Sequence, residues 1–167
     1  MRRPLGAVPL ALTLLMLTPN LGSSQSRGIL GLSIERFYHE DARFTAVNFR
    51  LTQMSPGRVG VDLNAGLVPV ALQGGLLFLD LDVGLAKALA IGPATLLLKG
   101  GVGNFLLLGL HTESEFYPGL QGGLAAVVPV QRRFAIRADF SRRVYFPAGG
   151  SFPMWSAGIG FAVLPSK

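Results

Sequence analysis

The sequence predicts an all-β protein: an eight-stranded antiparallel up-and-down transmembrane β-barrel, preceded by a cleaved signal peptide. Three observations carry that expectation. In segment after segment, apolar residues alternate with small or charged ones, and a period of two places the two sets on opposite faces of an extended strand. Half of the 167 residues are hydrophobic and only 14% are charged, so there is little material for a water-facing surface. The 22 Gly and 11 Pro disfavour long helices and mark frequent turns.

Residues 1–26 read as the signal peptide and 27–167 as the barrel domain. Arg2 and Arg3 supply a positive start, Ala7 to Thr18 an apolar middle, and Gly22-Ser-Ser-Gln-Ser26 small residues for cleavage. The apolar run is short for a membrane helix and is edged by Pro9 and Pro19.

Eight extended segments follow. Gly28 to Tyr38 is the first, and His39 to Arg43 a polar connection. Phe44 to Met54 sets Thr45, Val47, Phe49 and Leu51 against Ala46, Asn48, Arg50 and Thr52. Ser55-Pro-Gly-Arg58 has the chemistry of a tight turn. Val59 to Val68 sets Val59, Val61, Leu63, Ala65 and Leu67 against Gly60, Asp62, Asn64 and Gly66. After a loop at 69–74, Gly75 to Ala86 sets five aliphatic residues against Phe78, Asp80, Asp82, Gly84 and Ala86. Lys87 to Ala94 reads as a turn, Thr95 to Leu107 as a fifth strand, and His111 to Phe116 as a charged loop. Tyr117 to Val128 is the sixth strand, and Val130 to Arg133 a short turn.

The last two strands alternate most clearly. Phe134, Ile136, Ala138, Phe140 and Val144 oppose Ala135, Arg137, Asp139, Ser141 and Arg143, with Arg142 the one break. Across the loop 146–153, Trp155, Ala157, Ile159, Phe161 and Val163 oppose Ser156, Gly158, Gly160 and Ala162. No run of about 20 uninterrupted apolar residues follows the leader, so crossing by helices is not expected.

The minority face separates a lipid-embedded barrel from a soluble one. A wall facing water should carry many Lys, Glu, Gln and Thr. Here it carries mostly Gly, Ala, Ser and Asn, which suit the narrow interior of eight strands. Its charges also balance: Glu35, Asp62, Asp80, Asp82 and Asp139 would point inward beside Arg50, Lys99, Arg137 and Arg143. Buried charges need partners, so an internal ion-pair network is expected. For Glu35 and Lys99 a wet barrel rim is an equal alternative. Aromatics gather near strand ends, at Tyr38, Phe44, Phe116, Tyr117, Phe134, Tyr145, Phe146, Trp155 and Phe161, as girdles at two lipid–water boundaries would require.

Little else in the chain carries chemistry. There is no Cys for a disulfide, nucleophile or acyl anchor. His111-Thr-Glu-Ser114 gathers triad ingredients, but in one loop, where triad geometry is rarely held. Asp80 and Asp82 share a strand face without a nearby His or third carboxylate, so ion pairing is favoured over metal binding. Gly100-Gly-Val-Gly103 lacks the Lys-Ser/Thr of a phosphate loop. The net charge of +6 falls to +4 without Arg2 and Arg3, and no aromatic-interleaved basic patch for nucleic acid is present. No catalytic, cofactor-binding or metal-ligating set is expected.

With Gly119-Leu-Gln-Gly-Gly-Leu-Ala125 ahead of a short turn and a charged strand, the chain resembles the small eight-stranded OmpA-like or opacity-like outer-membrane barrels of Gram-negative bacteria. That family's assembly signal on the final strand is matched in order by Ser156, Gly158, Phe161 and Val163, although Leu164 to Lys167 runs on where such barrels usually end on an aromatic residue. The resemblance implies export through the Sec pathway, residence in the outer membrane among its lipids, and delivery by periplasmic chaperones to the barrel-assembly machinery. The expected role is structural or recognition, without enzymatic activity. The alternatives are a lipid-modifying enzyme or small-solute channel in the same membrane, and a soluble periplasmic lipid-binding barrel.

Overall fold

The computed structural model describes residues 27–40, 42–55, 59–69, 76–109 and 114–165. The expected signal peptide, the Pro56-Gly-Arg58 part of the first turn and the His111 to Glu113 part of the charged loop lie outside the described residues. Eight strands run in chain order: β1 (Arg27–His39), β2 (Ala42–Met54), β3 (Val59–Val68), β4 (Leu76–Ile91), β5 (Ala94–Gly109), β6 (Glu115–Pro129), β7 (Phe134–Tyr145) and β8 (Phe152–Val163). Each pairs antiparallel with its neighbour, and β8 closes on β1 through the register Leu30↔Val163 to Tyr38↔Trp155. Closure leaves no unpaired sheet edge, the condition under which a sheet can sit in lipid.

Parity decides what fills the interior. On β7 the buried residues are Ala135, Arg137, Asp139, Ser141, Arg143 and Tyr145, while Phe134, Ile136, Ala138, Phe140 and Arg142 are exposed. The same inversion runs through β2 and β3: Ala46, Asn48, Arg50, Thr52, Asp62 and Asn64 are buried beneath outward Val47, Phe49, Val59 and Val61. Small residues keep the walls close. Gly84 and Gly101 face each other across β4 and β5, where a Cβ on either would run into the opposite backbone. At Gly103 a Cβ would occupy the space taken by the Asp82 carboxylate.

Two expectations from the sequence are corrected. Lys87 to Ala94 is not a turn. β4 continues to Ile91 and β5 begins at Ala94, leaving Gly92-Pro93 as the whole connection. The alternation simply persists, with Ala86 and Ala88 inside and Lys87 and Leu89 outside. Gly92, at φ 58°, supplies the positive dihedral that a two-residue type II′ hairpin needs at its first position. The aromatic residues also divide between the faces. Tyr38, Phe116, Phe134, Phe146, Trp155 and Phe161 are exposed outside, but Tyr145 is fully buried and Phe44 and Tyr117 pack inside with it. A girdle needs outward parity, and these three have the inward one.

The interior has three tiers along the axis. At the end where β1 begins and β8 finishes, Ile29, Met54, Ala86, Ala88, Leu97, Ala125, Val127, Ala135 and Ala162 form a small-residue aliphatic plug with Leu164 against it. At the opposite, loop-bearing end, Phe37, Ala46, Val68, Phe105, Tyr145 and Met154 cluster with Phe44, Phe78, Tyr117 and Phe152. Charged side chains occupy the space between.

Candidate functional site

The middle tier brings together all nine charged residues that parity had pointed inward. They come from β1 (Glu35), β2 (Arg50), β3 (Asp62), β4 (Asp80, Asp82), β5 (Lys99) and β7 (Arg137, Asp139, Arg143). Glu35 and Lys99 lie in the network and not at a rim, with their side chains 0% and 4% exposed.

Arg143 organises the half nearer the loops. Its Nη2 lies 3.0 Å from Asp82 Oδ2 and 3.2 Å from Asp80 Oδ2, and its Nη1 donates to Glu35 Oε1 at 3.2 Å and to the Ser156 hydroxyl. Asn64 Nδ2 is 3.1 Å from both Asp80 Oδ2 and Asp82 Oδ2, and the Tyr145 hydroxyl donates to Asp80 Oδ1 at 2.9 Å. The Arg143 guanidinium also sits 4.8 Å above the Phe37 ring, which joins the charged tier to the aromatic one.

Asp139 organises the other half. It accepts from Arg137 Nε at 2.8 Å and Nη2 at 3.1 Å, and pairs with Lys99 Nζ at 2.5 Å and Arg50 Nη1 at 3.7 Å. Asp62 takes Arg137 at 3.6 Å and Lys99 at 3.9 Å, while Thr52 donates to Asp62 and accepts from Arg137 Nη1. Arg50, paired with Glu35, links the halves. Each of the five carboxylates faces at least one of the four cations. A buried carboxylate committed in this way is a poor base or nucleophile, because freeing it would leave an unpaired charge in a low-dielectric interior.

Above this tier the aromatic rings enclose a blind recess. Its volume is about 310 Å³, and it is lined by His39, Ala42, Phe44, Val68, Phe78, Phe105, Phe152 and Met154. Phe44 stacks on Phe37 at 4.9 Å, while Phe105 meets Phe44, Phe78 and Tyr145 in tilted pairs at 5.5–6.0 Å. His39, the last residue of β1 and not part of a loop, hydrogen-bonds the Pro153 carbonyl through Nδ1 at 2.7 Å. The recess is the feature that sequence reasoning missed. The signal was present: Phe37 shares the parity of Glu35, Phe78 that of Asp80, and Tyr145 that of Arg143.

The four residues that match the assembly signal all lie on β8. Ser156 is buried against Arg143 and Ser141, Gly158 lies against the Glu35 backbone, and Phe161 and Val163 point outward. Among the described residues, no group of three or more His, Cys, Asp or Glu has metal-binding geometry.

No protein-family model matches the sequence, and no curated protein matches it. Solved structures do. The N-terminal β-barrel domain of Pseudomonas aeruginosa OprF aligns at TM-score 0.61 and 10% identity, over 84% of this chain and all of that one. Neisserial surface protein A aligns at 0.59 and 8% identity, over 87% and 99%. A major outer membrane protein of Thermus thermophilus aligns at 0.59 and 12% identity, over 85% and 100%. At such low identity the likeness is one of architecture, and on it the chain has the fold of the small eight-stranded outer-membrane barrels.

Proposed function

We propose that this protein is an integral outer-membrane β-barrel with a structural or recognition role, made with a Sec signal in residues 1–26 and inserted by the barrel-assembly machinery through the Ser156, Gly158, Phe161 and Val163 signal. One observation carries the reading: the barrel is inside out for water. Ile34, Leu85 and Phe161 are 60%, 63% and 72% exposed, whereas Arg50, Arg137 and Arg143 are each 1% exposed. A soluble protein would have to hold that apolar wall in water at a cost of about 25 cal/mol per Å². Lipid removes the cost. The test is extraction: the protein should require detergent, and its folded and boiled forms should migrate differently on a gel. Release by salt or alkaline washing alone would refute it.

The role is non-enzymatic in this proposal, because the interior charges are committed to one another and the middle tier obstructs the axis. Refolded protein assayed on phospholipid and lipopolysaccharide should give no acyl transfer or hydrolysis. Turnover abolished by His111→Ala would reverse that conclusion.

The recess supports a more specific form of recognition. Its walls offer aromatic and aliphatic surface almost alone, so water there finds few hydrogen-bond partners and a small aromatic molecule finds several rings. Met154 lines the recess, and Met54 lies in the plug at the other end of the interior. With methionine methyl groups labelled in the folded barrel, toluene should shift the Met154 resonance and leave Met54 in place. Equal shifts would mean simple partitioning into the micelle.

A further inference from the structure

The outer wall at the loop end carries a second arrangement of charge. Arg142 on β7 lies directly across from Trp155 on β8, Trp155 from Tyr38 on β1, and Tyr38 from Arg43 on β2. One row of side chains thus crosses four strands, through the seam where the barrel closes. Arg36 stands two residues from Tyr38, opposite Ala157 on β8 and Thr45 on β2. Arg36, Tyr38, Arg43, Arg142 and Trp155 all face outward, and all are exposed.

The row is ordered around its indole. The Arg142 guanidinium lies 4.9 Å from the centroid of the Trp155 ring, and Phe140 stacks on the same ring at 5.4 Å. The contrast with the interior is in the pairing. Arg50, Arg137 and Arg143 each meet carboxylates, whereas Arg36, Arg43 and Arg142 make no ion pair among the described residues. The carboxylates next along the chain from Arg36 and Arg142, Glu35 and Asp139, turn inward, and Glu40, in the turn beyond β1, is the exposed described carboxylate nearest in sequence to Arg36 and Arg43.

An arginine on a lipid-facing wall is tolerated only near the headgroups. Tyr38 and Arg43 are each one residue from a strand end, and Trp155 and Arg142 three. Outward Tyr and Trp belong at the same depth. Guanidinium groups there meet lipid phosphates, whose tetrahedral oxygens suit the guanidinium fork. Ala157, between Arg36 and Phe140 in register, is exposed and carries only a methyl group. Arg36 is directly opposite Ala157 and Arg142 is diagonal to it, about 7–8 Å away, so both long side chains reach that position.

We propose that this row is a binding site for the phosphate of an anionic membrane lipid, with Arg36 and Arg142 gripping the headgroup over Ala157 and Arg43 adding charge at its edge. The site rests on the membrane reading above. It belongs to one end of the wall: at the other end Lys87 faces Val59 and Leu98 across the sheet, and Arg132 and Arg133 stand exposed in the turn between β6 and β7.

Trp155 is the chain's single tryptophan, so its fluorescence reports on the site directly. The full barrel is inserted into phosphatidylcholine vesicles doped with acyl-brominated phosphatidic acid or, at the same fraction, acyl-brominated phosphatidylcholine. The wild type should be quenched preferentially by the anionic lipid, with an apparent association about fivefold stronger, the scale of one cation at an anionic surface. The variant Arg36→Gln/Arg43→Gln/Arg142→Gln should lose the preference. The variant Lys87→Gln/Arg132→Gln/Arg133→Gln should keep it. Comparing the two lipids within each variant cancels any change in the indole's own emission. If the triple variant fails to insert, Arg36→Gln alone, which leaves the Arg142–Trp155 contact in place, should lower the preference by half or more.

Equal quenching by the two lipids in wild type overturns the site. Loss of the preference in the Lys87 triple also overturns it, since the attraction would then belong to overall charge. Displacement of the lipid by soluble glycerol phosphate would assign the arginines to a free phosphate and refute a lipid site. Wild-type protein that enters neither vesicle, seen as absence of a heat-modifiable band, would remove the membrane reading and the site with it.

Discussion

The two ends of the barrel interior are built from the same wall and filled differently. At the terminal end, alanines, Val127 and Leu97 pack together into a plug. At the loop end, large rings from several strands prop the interior open around a recess. A small side chain lets the opposing wall approach; a rigid ring holds it away and packs imperfectly against other rings at an angle. The terminal end is packed and the loop end holds a recess, with the charged tier between them.

Breaking the tier should have the largest effect. Arg143→Ala leaves Asp80, Asp82 and Glu35 facing one another beneath the recess, and should cost about 4 kcal/mol of unfolding free energy in urea titrations from vesicles. A loss below about 1 kcal/mol would mean that the carboxylates are hydrated and that the recess has no floor.

Exchanging faces comes next. Phe140→Arg puts a charge on the lipid side of β7 and should cost roughly 2–4 kcal/mol, seen as slowed or incomplete insertion. Single-Cys labelling sharpens the point: a lipid-phase probe should react at position 140 and not at the neighbouring 139. The reverse would invert the barrel.

The ends themselves can be compared by truncation. Leu97→Ala opens a cavity in the closed plug and should cost about 2–3 kcal/mol. Phe78→Ala only widens a recess that already exists, and should cost about 1 kcal/mol or less despite removing a larger group. Equal losses would show that the recess is filled in the folded protein. The smallest change is Thr52→Val, which removes the hydroxyl between Arg137 and Asp62 and should cost about 1 kcal/mol.

Strand count and face assignment follow from the period-two pattern, because a strand with one face in lipid leaves no freedom in register. The order of residues along the chain therefore determined which nine charges turn inward, and that Phe140 and Phe161 turn outward. Strand ends were less legible. Lys87 to Ile91 looks like a turn because Lys and Gly-Pro lie close together, yet small inward alanines let the ladder run on. The aromatic cluster around the recess was readable only by following parity past the inward charged residues, from Glu35 to Phe37 and from Arg143 to Tyr145. What only the tertiary structure decided is who meets whom. Arg137 reaches Thr52 across 85 positions, and Arg143 reaches Glu35 across 108. Those pairings depend on closure and on the stagger between strands, which set the height of each residue on the barrel axis. Alternation specifies a face and carries no height, so the charged tier, the recess above it and the arginine row across the seam exist only once β8 has closed on β1.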